Sequence, residues 1–319
     1  MKFIVLLTCC FLLSPLFAQG AQVAQANSDT MNLLEFIKKE HVPSEDLLPA
    51  DITVSKGFES GTGLPVGEVQ EAHGTVFVIH KDGGKAYRLQ NGKPIFRGDT
   101  LITEHDSGVT ILLADKSALA LTGRSKMLLD RSFYHVDSRT EKRNTKLQLL
   151  FGKVRSFVSR ITGDSDYTIT TPTAVAGVRG TDFALVVGPV WRKPSECETF
   201  SRPRSSVSAS ESEEFITSLL TVLVTGENHS NVEFADTDGR SPIIVDSLSM
   251  TGIMSVCTGT EPAYLGRNAL GILEDIGPEI NRLQDILTAQ RRQQSEFLPD
   301  PLRRDMEDLI RIPVSPVRP

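Results

Sequence analysis

A two-residue period of apolar side chains, which begins at Gly67 and continues to Phe183, constrains the fold of this chain more than any other feature. Short β-branched and apolar runs recur at intervals of about ten residues, and Gly, Asp and Asn turns separate them. Successive side chains of a strand point to opposite faces, so this period describes strands with one buried face. The sequence therefore predicts an all-β fold, an antiparallel jelly-roll-like sandwich. The clearest runs are 74–79, 86–89, 100–103, 109–113, 118–121 and 127–129.

Changes in composition divide the 319 residues into four parts. The first part is a predicted signal peptide, and the second contains a short helical pattern over 31–40 and then a linker rich in Pro and Gly. The third part is the predicted β domain, and the fourth returns to a helical period before it ends in a proline-rich tail. The predicted boundaries are 1–26, 27–67, 68–260 and 261–319.

The amino terminus has the pattern of a secretory signal peptide. Lys2 precedes an almost wholly apolar run from Phe3 to Phe17, and small residues then allow cleavage after Gly20 or after Ala26. Two cysteines fall inside the apolar run rather than after it, which disfavours a lipoprotein. No later stretch has the roughly 18 consecutive apolar residues of a spanning helix. We expect a periplasmic or secreted protein that has no membrane span after cleavage.

The net charge and the cysteine pattern disfavour several classes of partner and of binding site. A formal net charge of −6 without a basic block disfavours nucleic acid and anionic lipid as partners. Cys197 and Cys257 are the cysteines that remain after processing, and in an oxidising compartment the pair favours a disulfide, with two free thiols as the alternative. Because no Cys-x-x-Cys motif or histidine cluster occurs, the sequence predicts no metal and no cofactor.

Two regions outside the regular strands are candidates for contact with a partner. Residues 188–215 contain three prolines and a serine-rich run, which predicts an exposed insertion that a Cys197–Cys257 bond would pin to the core. Pro278 is suited to begin a helix whose apolar stripe is Ile280, Leu283, Ile286 and Leu287. This stripe fits packing on the chain's own domain or contact with a partner. A further short helix is predicted over 302–312.

The segment from Thr170 to Phe183 is the least generic part of the sequence. A proline interrupts one apolar run, small residues follow, and a turn then leads into a second apolar run. Glycine in this turn can adopt a positive φ, and the arginine before it can bind carbonyls or a carboxylate across the turn. Ligand recognition by this arginine is the functional alternative to a structural tie. The residues singled out here are Thr171, Pro172, Arg179, Gly180 and Thr181.

The search for catalytic motifs finds one weak candidate. Asp106-Ser107-Gly108 has the form of an aspartic-protease triplet, but charged residues precede it where that triplet needs an apolar strand, and no second copy occurs. Glu104, His105 and Asp106 are three consecutive residues, which in a strand would point to alternating faces and could not all bind one ion. A solvated turn explains both patterns. The sequence contains no nucleophile elbow, P-loop or zinc-protease motif.

The order of these segments resembles the FecR domain. The matching elements are Gly74-Thr-Val76, Arg97-Gly-Asp-Thr100, the Asp115 turn between two apolar runs, Leu149–Val154 and Thr170–Phe183. The resemblance implies an all-β extracytoplasmic domain, which is known from transmembrane regulators that relay iron-chelate uptake to a sigma factor. Those regulators have a cytoplasmic anti-sigma segment and a membrane helix before the domain. Here a signal peptide stands in place of both, so the anti-sigma role does not carry over.

The sequence supports three hypotheses for function. The first is a non-enzymatic, exported binding or scaffold module that contacts a protein or a glycan of the bacterial cell envelope, through the 188–215 insertion or the C-terminal helices. The second is a sensor or relay component of an iron-uptake type system that works through a separate membrane protein. The third is a hydrolase that uses Asp106.

Overall fold

The structure, a computed structural model, describes residues 33–43, 46–81, 84–137, 140–161, 163–192, 216–227, 232–238, 242–254 and 262–296. The predicted signal peptide, Cys197, Cys257 and the predicted helix over 302–312 lie outside these residues. The chain divides into two compact units, Met1–Lys39 and Glu40–Pro319. The first unit contains helix α1 over 33–38.

The second unit consists mainly of strands, and two helices follow them. The strands are β1 (Thr53–Ser55), β2 (Pro65–His73), β3 (Val76–Ile79), β4 (Lys85–Arg88), β5 (Pro94–Phe96), β6 (Asp99–Thr103), β7 (Gly108–Leu113), β8 (Ala118–Leu121), β9 (Ser125–Asp137), β10 (Thr140–Phe157), β11 (Gly163–Thr170), β12 (Ala174–Val178), β13 (Asp182–Arg192), β14 (Ile216–Thr225), β15 (Val232–Asp236), β16 (Ile243–Val245), β17 (Ser249–Met254) and β18 (Ala263–Tyr264). The helices are α2 (Asn268–Ile276) and α3 (Glu279–Glu296). The prediction of an all-β fold is confirmed.

The strands form two sheets that share one member, β10. The first sheet has the order β1-β4-β3-β6-β9-β10-β11-β12-β15-β16. The second has the order β5-β2-β7-β8-β10-β13-β14-β17-β18. Through β10 the two sheets join into one large sheet that does not close.

Strand β10 passes from the first sheet to the second at a bend. Its first part pairs with β9 and β11, and its last six residues, Gly152–Phe157, pair with β8 and β13. A register irregularity lies between Leu149 and Phe151, and Gly152 has a φ of +94°. Bulges and glycines with positive φ are common means of bending a strand sharply. The bend therefore occurs within the Leu149–Val154 motif.

Two strand pairs, β1–β4 and β10–β11, are parallel, while the other pairs are antiparallel as the predicted sandwich requires. A parallel pair needs a long crossover between its strands. For β10 and β11 the second part of β10 supplies this crossover, because it runs through the other sheet before the chain returns at Gly163. The sequence does not reveal these two pairs, because a period of two does not distinguish parallel from antiparallel neighbours.

The apolar core lies between the two sheets. One continuous cluster of buried side chains contains residues from both, and its largest members include Tyr87, Tyr167, Phe183 and Phe234. Tyr167 of β11 and Phe183 of β13 meet edge to face, with ring centroids 6.5 Å apart. Because these strands belong to different sheets, this aromatic contact connects the two layers of the sandwich.

The first five residues of the predicted 188–215 insertion belong to a strand. Gly188–Arg192 continue β13 and pair in register with the start of β14, so the prediction of an exposed loop does not hold for them, and residues 193–215 lie outside the described part of the chain. Pro189 lies inside this strand. Since β10 pairs with β13 only as far as Val187, Pro189 has a strand partner on one side within the described residues, and proline is tolerated at such a position.

The C-terminal helices pack back on the sandwich. Ile280, Leu283 and Leu287 of α3 join Phe157 in a second apolar cluster, which also includes two alanines of β8. Ile286, the fourth residue of the predicted stripe, is 45% exposed. The chain's own domain therefore occupies most of this stripe. Among the described residues no helix is long and apolar enough to cross a membrane.

Replacement of Gly152 tests the bend in β10. A Cβ atom at this position would lie 2.5 Å from Cα of Ser125 and closer still to its hydroxyl, in addition to the strain of a positive φ. We expect Gly152→Ala to lower the free energy of unfolding by about 3 kcal/mol or more. Equilibrium urea unfolding measures the loss.

Gly92→Ala is the matched control, because Gly92 has a φ of +69° but no atom within 4 Å of the added Cβ. Backbone strain alone should cost about 1 kcal/mol there. Equal losses in the two variants would contradict the close packing of Gly152 against Ser125.

Candidate functional site

The turn over Arg179–Thr181 carries the chain from the first sheet to the second. It joins β12, which pairs with β11 and β15, to β13, which pairs with β10 and β14. Gly180 has a φ of +126°, and a Cβ at this position would lie 3.0 Å from the backbone of Arg160. The side chain of Arg179 is exposed and makes no ion pair within the described part of the chain. This turn therefore connects the two layers, and Arg179 is its exposed residue.

The threonines before this turn form a buried hydroxyl cluster. The hydroxyl of Thr171 lies 2.8 Å from that of Thr221 in β14, and Thr173 also contacts the Thr221 hydroxyl at 2.5 Å. The Thr171 hydroxyl accepts a hydrogen bond from the amide of Ala174 at 2.9 Å, while exposed Pro172 shapes the corner between them. Since Thr221 belongs to the second sheet, these hydroxyls join the two layers at the start of the signature segment.

Asp182, directly after the turn, makes the strongest polar contact of the segment. Its carboxylate accepts two hydrogen bonds from Arg155 of β10, one from Nε at 3.0 Å and one from Nη2 at 2.7 Å. The side chains of Arg155 and Asp182 are only 3% and 9% exposed. Paired planar contacts of this kind are the strongest that arginine makes with a carboxylate. The sequence suggests Arg179 for a structural polar contact across the turn. In the structure Asp182 makes such a contact, and its partner is Arg155.

Arg155 also holds the C-terminal helices in place. Its Nη1 donates to the carbonyl oxygens of Leu273 and Gly277, at 3.1 and 2.8 Å, and its Nη2 donates to Oδ1 of Asn281 at 2.7 Å. Both carbonyls belong to the end of α2, where unpaired carbonyl oxygens and the helix dipole favour a positive charge. One guanidinium therefore connects β10, β13, α2 and α3.

A second buried ion pair lies at the Asp115 turn between β7 and β8. The side chains of Asp115 and Arg143 have no exposed surface, and Nε of Arg143 lies 3.1 Å from Oδ2 of Asp115. The carboxylate also accepts hydrogen bonds from Thr145 at 2.7 Å and from the amide of Ser117 at 2.9 Å, while Nη1 of Arg143 donates to the carbonyl of Ser159 at 2.7 Å. These contacts satisfy two buried charges that would otherwise be costly.

Asp99, the acidic residue of the Arg97-Gly-Asp-Thr100 motif, is paired with His80. Nδ1 of His80 lies 2.6 Å from Oδ1 of Asp99, and Nε2 lies 2.9 Å from the carbonyl oxygen of Glu59. Both ring nitrogens therefore face oxygen acceptors, which an imidazolium satisfies by donating from both. Burial lowers the pKa of His80, but the hydrogen bonds to Asp99 and Glu59 outweigh burial and raise the pKa above its ordinary value of 6.5.

The candidate binding site is a cleft at the bend of β10. It has a volume of about 170 Å³, and polar and charged residues from three loops and from β10 line it. Gly152 forms part of its floor, and Lys153 follows directly. Its lining residues are Glu40, His41, Asp106, Thr122, Gly123, Arg124, Gly152 and Lys153.

Two residues of the cleft have a backbone conformation that side chains other than glycine rarely adopt. Asp106 has a φ of +50° and Arg124 a φ of +54°. The two turns are held together, because the amide of Arg124 donates to the carbonyl of Glu104 at 3.1 Å. Positive φ values of this kind cluster at functional sites, where the surrounding structure maintains them. Their presence on both sides of one cleft marks it as the candidate site.

The charges of the cleft form a mixed pattern. Nε of Arg124 lies 2.8 Å from Oε1 of Glu40, and Nε2 of His105 lies 3.2 Å from the same oxygen. Burial lowers the pKa of Lys153, although Glu40 and Asp275 oppose this shift. Cations and anions alternate around the opening, so the cleft suits a polar ligand with its own charges or hydrogen-bonding groups.

The structure places Asp106 in an exposed turn. Its side chain is 87% exposed, and Oδ2 lies 2.7 Å from Nδ1 of His105. A protease carboxylate shares a proton with a second carboxylate, whereas the partner of Asp106 here is an imidazole. Within the described residues no three His, Cys, Asp or Glu side chains are arranged to hold a metal ion, and this includes Glu104, His105 and Asp106.

Sequence reasoning missed the residues that frame the cleft. Lys153 and Arg124 are each a single charged residue in a strand or turn, and no local spacing connects them to Glu40. A signal did exist in the motif Leu149–Val154, because a glycine and a lysine interrupt an apolar run there. That signal marks the bend, but the partners of Lys153 come from distant parts of the chain.

Comparison with known families identifies the β domain. Residues 99–194 match the family model described as FecR protein. The match begins at β6 and ends just beyond β13, so it includes the Asp115 turn, the bend in β10 and the turn at Gly180. The resemblance inferred from the sequence motifs is confirmed. No match is found among the curated proteins.

Solved structures give more distant likenesses. A cell surface anchoring domain is 31% identical, and the match covers 20% of this chain and 83% of that domain with a TM-score of 0.19. Two crystal structures of a protein described as an anti-sigma factor from Parabacteroides distasonis are each 13% identical, with a TM-score of 0.35. The match covers 55% of this chain and 64% of that protein. At these TM-scores neither likeness carries an argument about function.

Removal of the Arg155 guanidinium tests how the helices are held. Arg155→Met leaves the Asp182 carboxylate buried without its partner and releases the carbonyls at the end of α2. We expect the free energy of unfolding to fall by about 3–5 kcal/mol. We also expect limited proteolysis to cut within α2 and α3 before the sandwich. The double variant Arg155→Met, Asp182→Leu should recover part of the stability, because it removes the unpaired charge.

Arg97→Met is the control for this experiment. Arg97 pairs with Asp130 at 3.7 Å, and the two side chains are 64% and 42% exposed. Exposed pairs contribute about 1 kcal/mol or less. A loss in Arg155→Met no larger than that in Arg97→Met would show that the guanidinium does not anchor the helices.

The His80–Asp99 contact predicts a pH dependence. Because the pKa of His80 is raised in the folded protein, its stabilising contribution is complete below the ordinary histidine value and is lost as the pH rises through the raised value. We expect the urea midpoint to decline as the pH rises above the ordinary histidine value of 6.5. His80→Gln should remove this slope, whereas His73→Gln, at an exposed position, should retain it. An unchanged slope in His80→Gln would contradict the assignment.

Proposed function

The chain carries a FecR domain, and from that premise we propose that it is an exported, non-enzymatic binding module of the bacterial cell envelope, with the cleft at the bend of β10 as its recognition site. Its partner is a protein or a glycan that presents charged or hydrogen-bonding groups. A FecR domain in itself fits a signalling or sensor role.

This proposal rests on one observation. Residues with a strained backbone conformation and residues with charged side chains occur together at the cleft. Asp106 and Arg124 both hold positive φ values there, and Lys153 is partly buried beside them. Lys116 and Leu248 adopt the same conformation in turns elsewhere, at a cost of about 1–2 kcal/mol each, so the proposal rests on the position of Asp106 and Arg124 at one polar cleft. Two residues with positive φ on one polar cleft are typical of a site that must hold its side chains in fixed positions for a ligand.

The rigid surroundings of the cleft support a platform rather than a closing enzyme site. The Glu40 carboxylate contacts Arg124, and Lys126 Nζ donates to the carbonyl of Leu47 at 3.0 Å, so two residues of this part of the chain are fixed to β9 and to the turn before it. On the other side, Arg155 fixes α2 through the carbonyls of Leu273 and Gly277. Groups positioned in advance reduce the entropy lost on binding.

A second candidate function is a relay between a receptor and a separate membrane protein. The FecR family match favours it, because the domain is known from regulators of this kind. In this case the partner at the cleft is a transport receptor or an anti-sigma protein. The scaffold and relay functions share the same site and differ in the identity of the partner.

The proposed location is the periplasm or the cell exterior. It rests on the signal-peptide pattern of residues 1–26. Fractionation of cells that express the full chain should find the protein outside the cytoplasm. Mass spectrometry should find a mature amino terminus after Gly20 or after Ala26. An intact chain in the cytoplasm would contradict this location.

Site-specific photo-cross-linking in cells tests the recognition site. A photoreactive amino acid in place of Asp106, which is exposed at the cleft, should give a discrete adduct whose partner mass spectrometry identifies. The same residue in place of Ile244, which is exposed on β16, is the matched control and should not give this adduct. Lys153→Met in the first variant should reduce the adduct at least about fivefold, because it removes a central charge of the cleft.

The identity of the adduct separates the two functions. Recovery of a transport receptor or an anti-sigma protein supports the relay, and recovery of another envelope protein or a glycan supports the scaffold. Equal adducts from Asp106 and Ile244, or an adduct that Lys153→Met does not change, would overturn the assignment of the cleft. Peptidase activity that Asp106→Asn abolishes would overturn the non-enzymatic function.

A further inference from the structure

The outer edge of β9 is long, exposed and unusual in this fold. From Arg131 to Asp137 the strand pairs with β10 on one side, while β6 pairs only with the preceding residues Ser125–Leu129. No described strand pairs with Arg131–Asp137 on the β6 side. We call these seven residues the β9 edge. An exposed strand edge of this length can pair with another strand.

The strands at the lateral ends of the two sheets are short. The lateral strands β1, β5, β16 and β18 have only two or three residues each. Short edge strands are a common protection against unwanted pairing. The β9 edge lacks this protection, and it also carries apolar surface, because Phe133 is 54% exposed and Val136 is 59% exposed.

The sequence of the β9 edge is complementary to itself. If two copies pair in antiparallel orientation around Tyr134, Arg131 of one lies opposite Asp137 of the other, and Phe133 lies opposite His135. Each relation occurs twice because of the two-fold symmetry. Opposite charges and aromatic pairs that face each other across antiparallel strands are favourable, at about 0.2–1 kcal/mol each.

The faces of the strand agree with this register. Arg131, Phe133, His135 and Asp137 share one face, since alternate residues of a strand point to the same side. Phe133 and His135 already stack, with ring centroids 6.3 Å apart and an angle of 14° between the rings. Pairing with a second copy would place this stack directly beside the same stack of the other chain, with an ion pair at each end.

We propose that this chain forms a two-fold symmetric dimer through antiparallel pairing of two β9 edges, centred on Tyr134. The dimer joins the first sheets of two molecules into one continuous sheet. The β9 edge and the cleft lie on different parts of the chain, so this proposal does not depend on the proposed function of the cleft.

Charge reversal at the two ends of the β9 edge tests this register. In Arg131→Asp, both ends of a homodimer place two acids opposite each other, and in Asp137→Arg they place two arginines opposite each other. We expect each single variant of the purified full chain to dimerise at least about tenfold more weakly than the unchanged chain. Light scattering with size-exclusion chromatography over a range of concentrations measures the dimer.

Mixing gives the decisive result. Arg131→Asp and Asp137→Arg chains should form a heterodimer when combined, because every end then places an acid opposite an arginine. The double variant Arg131→Asp, Asp137→Arg should dimerise with itself for the same reason. Circular dichroism checks that each variant remains folded.

Three outcomes would overturn the proposal. The unchanged chain could remain a monomer at all concentrations, the single variants could dimerise as well as the unchanged chain, or mixing could fail to restore the dimer. Arg97→Asp is the matched control, because Arg97 is also an exposed arginine beside Asp130 but lies outside the β9 edge, and it should leave the dimer unchanged.

Discussion

The shared strand β10 is the constraint on which the rest of the structure depends. It holds the centre of both sheets, and the change of layer occurs within a few residues around Gly152. Gly152 makes this possible, because it packs against Ser125 more closely than a residue with a Cβ atom could. Because one continuous strand runs through both layers, the two sheets cannot move independently. The elements that pair with β10 are therefore held in fixed positions.

Two buried ion pairs extend this frame outward from β10. Arg143, in its first part, binds Asp115 and so fixes the turn between β7 and β8. Arg155, in its second part, binds Asp182 and the end of α2. Lys153, between these arginines, faces the cleft. The strand thus presents one basic residue at the cleft and uses two others as internal anchors, and the two anchors are buried beside a carboxylate.

The cleft and the β9 edge are the two surfaces that we propose for recognition, and they differ in the kind of partner that they suit. At the cleft, turns hold polar groups in strained positions, which suits a ligand with its own charges. At the β9 edge, the protruding part of the hairpin leaves backbone groups and aromatic rings exposed, which suits another strand. A module with both could hold a partner while a second copy doubles the number of binding sites, and avidity would then strengthen contacts that are individually weak.

By itself, the sequence determined the fold class and the family, because period-two runs, Gly and Asp turns and the Thr170–Phe183 segment are local signals. It also predicted the α3 stripe, which packs on Phe157. Only the tertiary structure decided that β10 and β11 are parallel, that Asp182 rather than Arg179 makes the polar contact beside the turn, and that Lys153 and Glu40 line one cleft. Each of these depends on residues far apart in the chain, and no local period records which distant strands become neighbours.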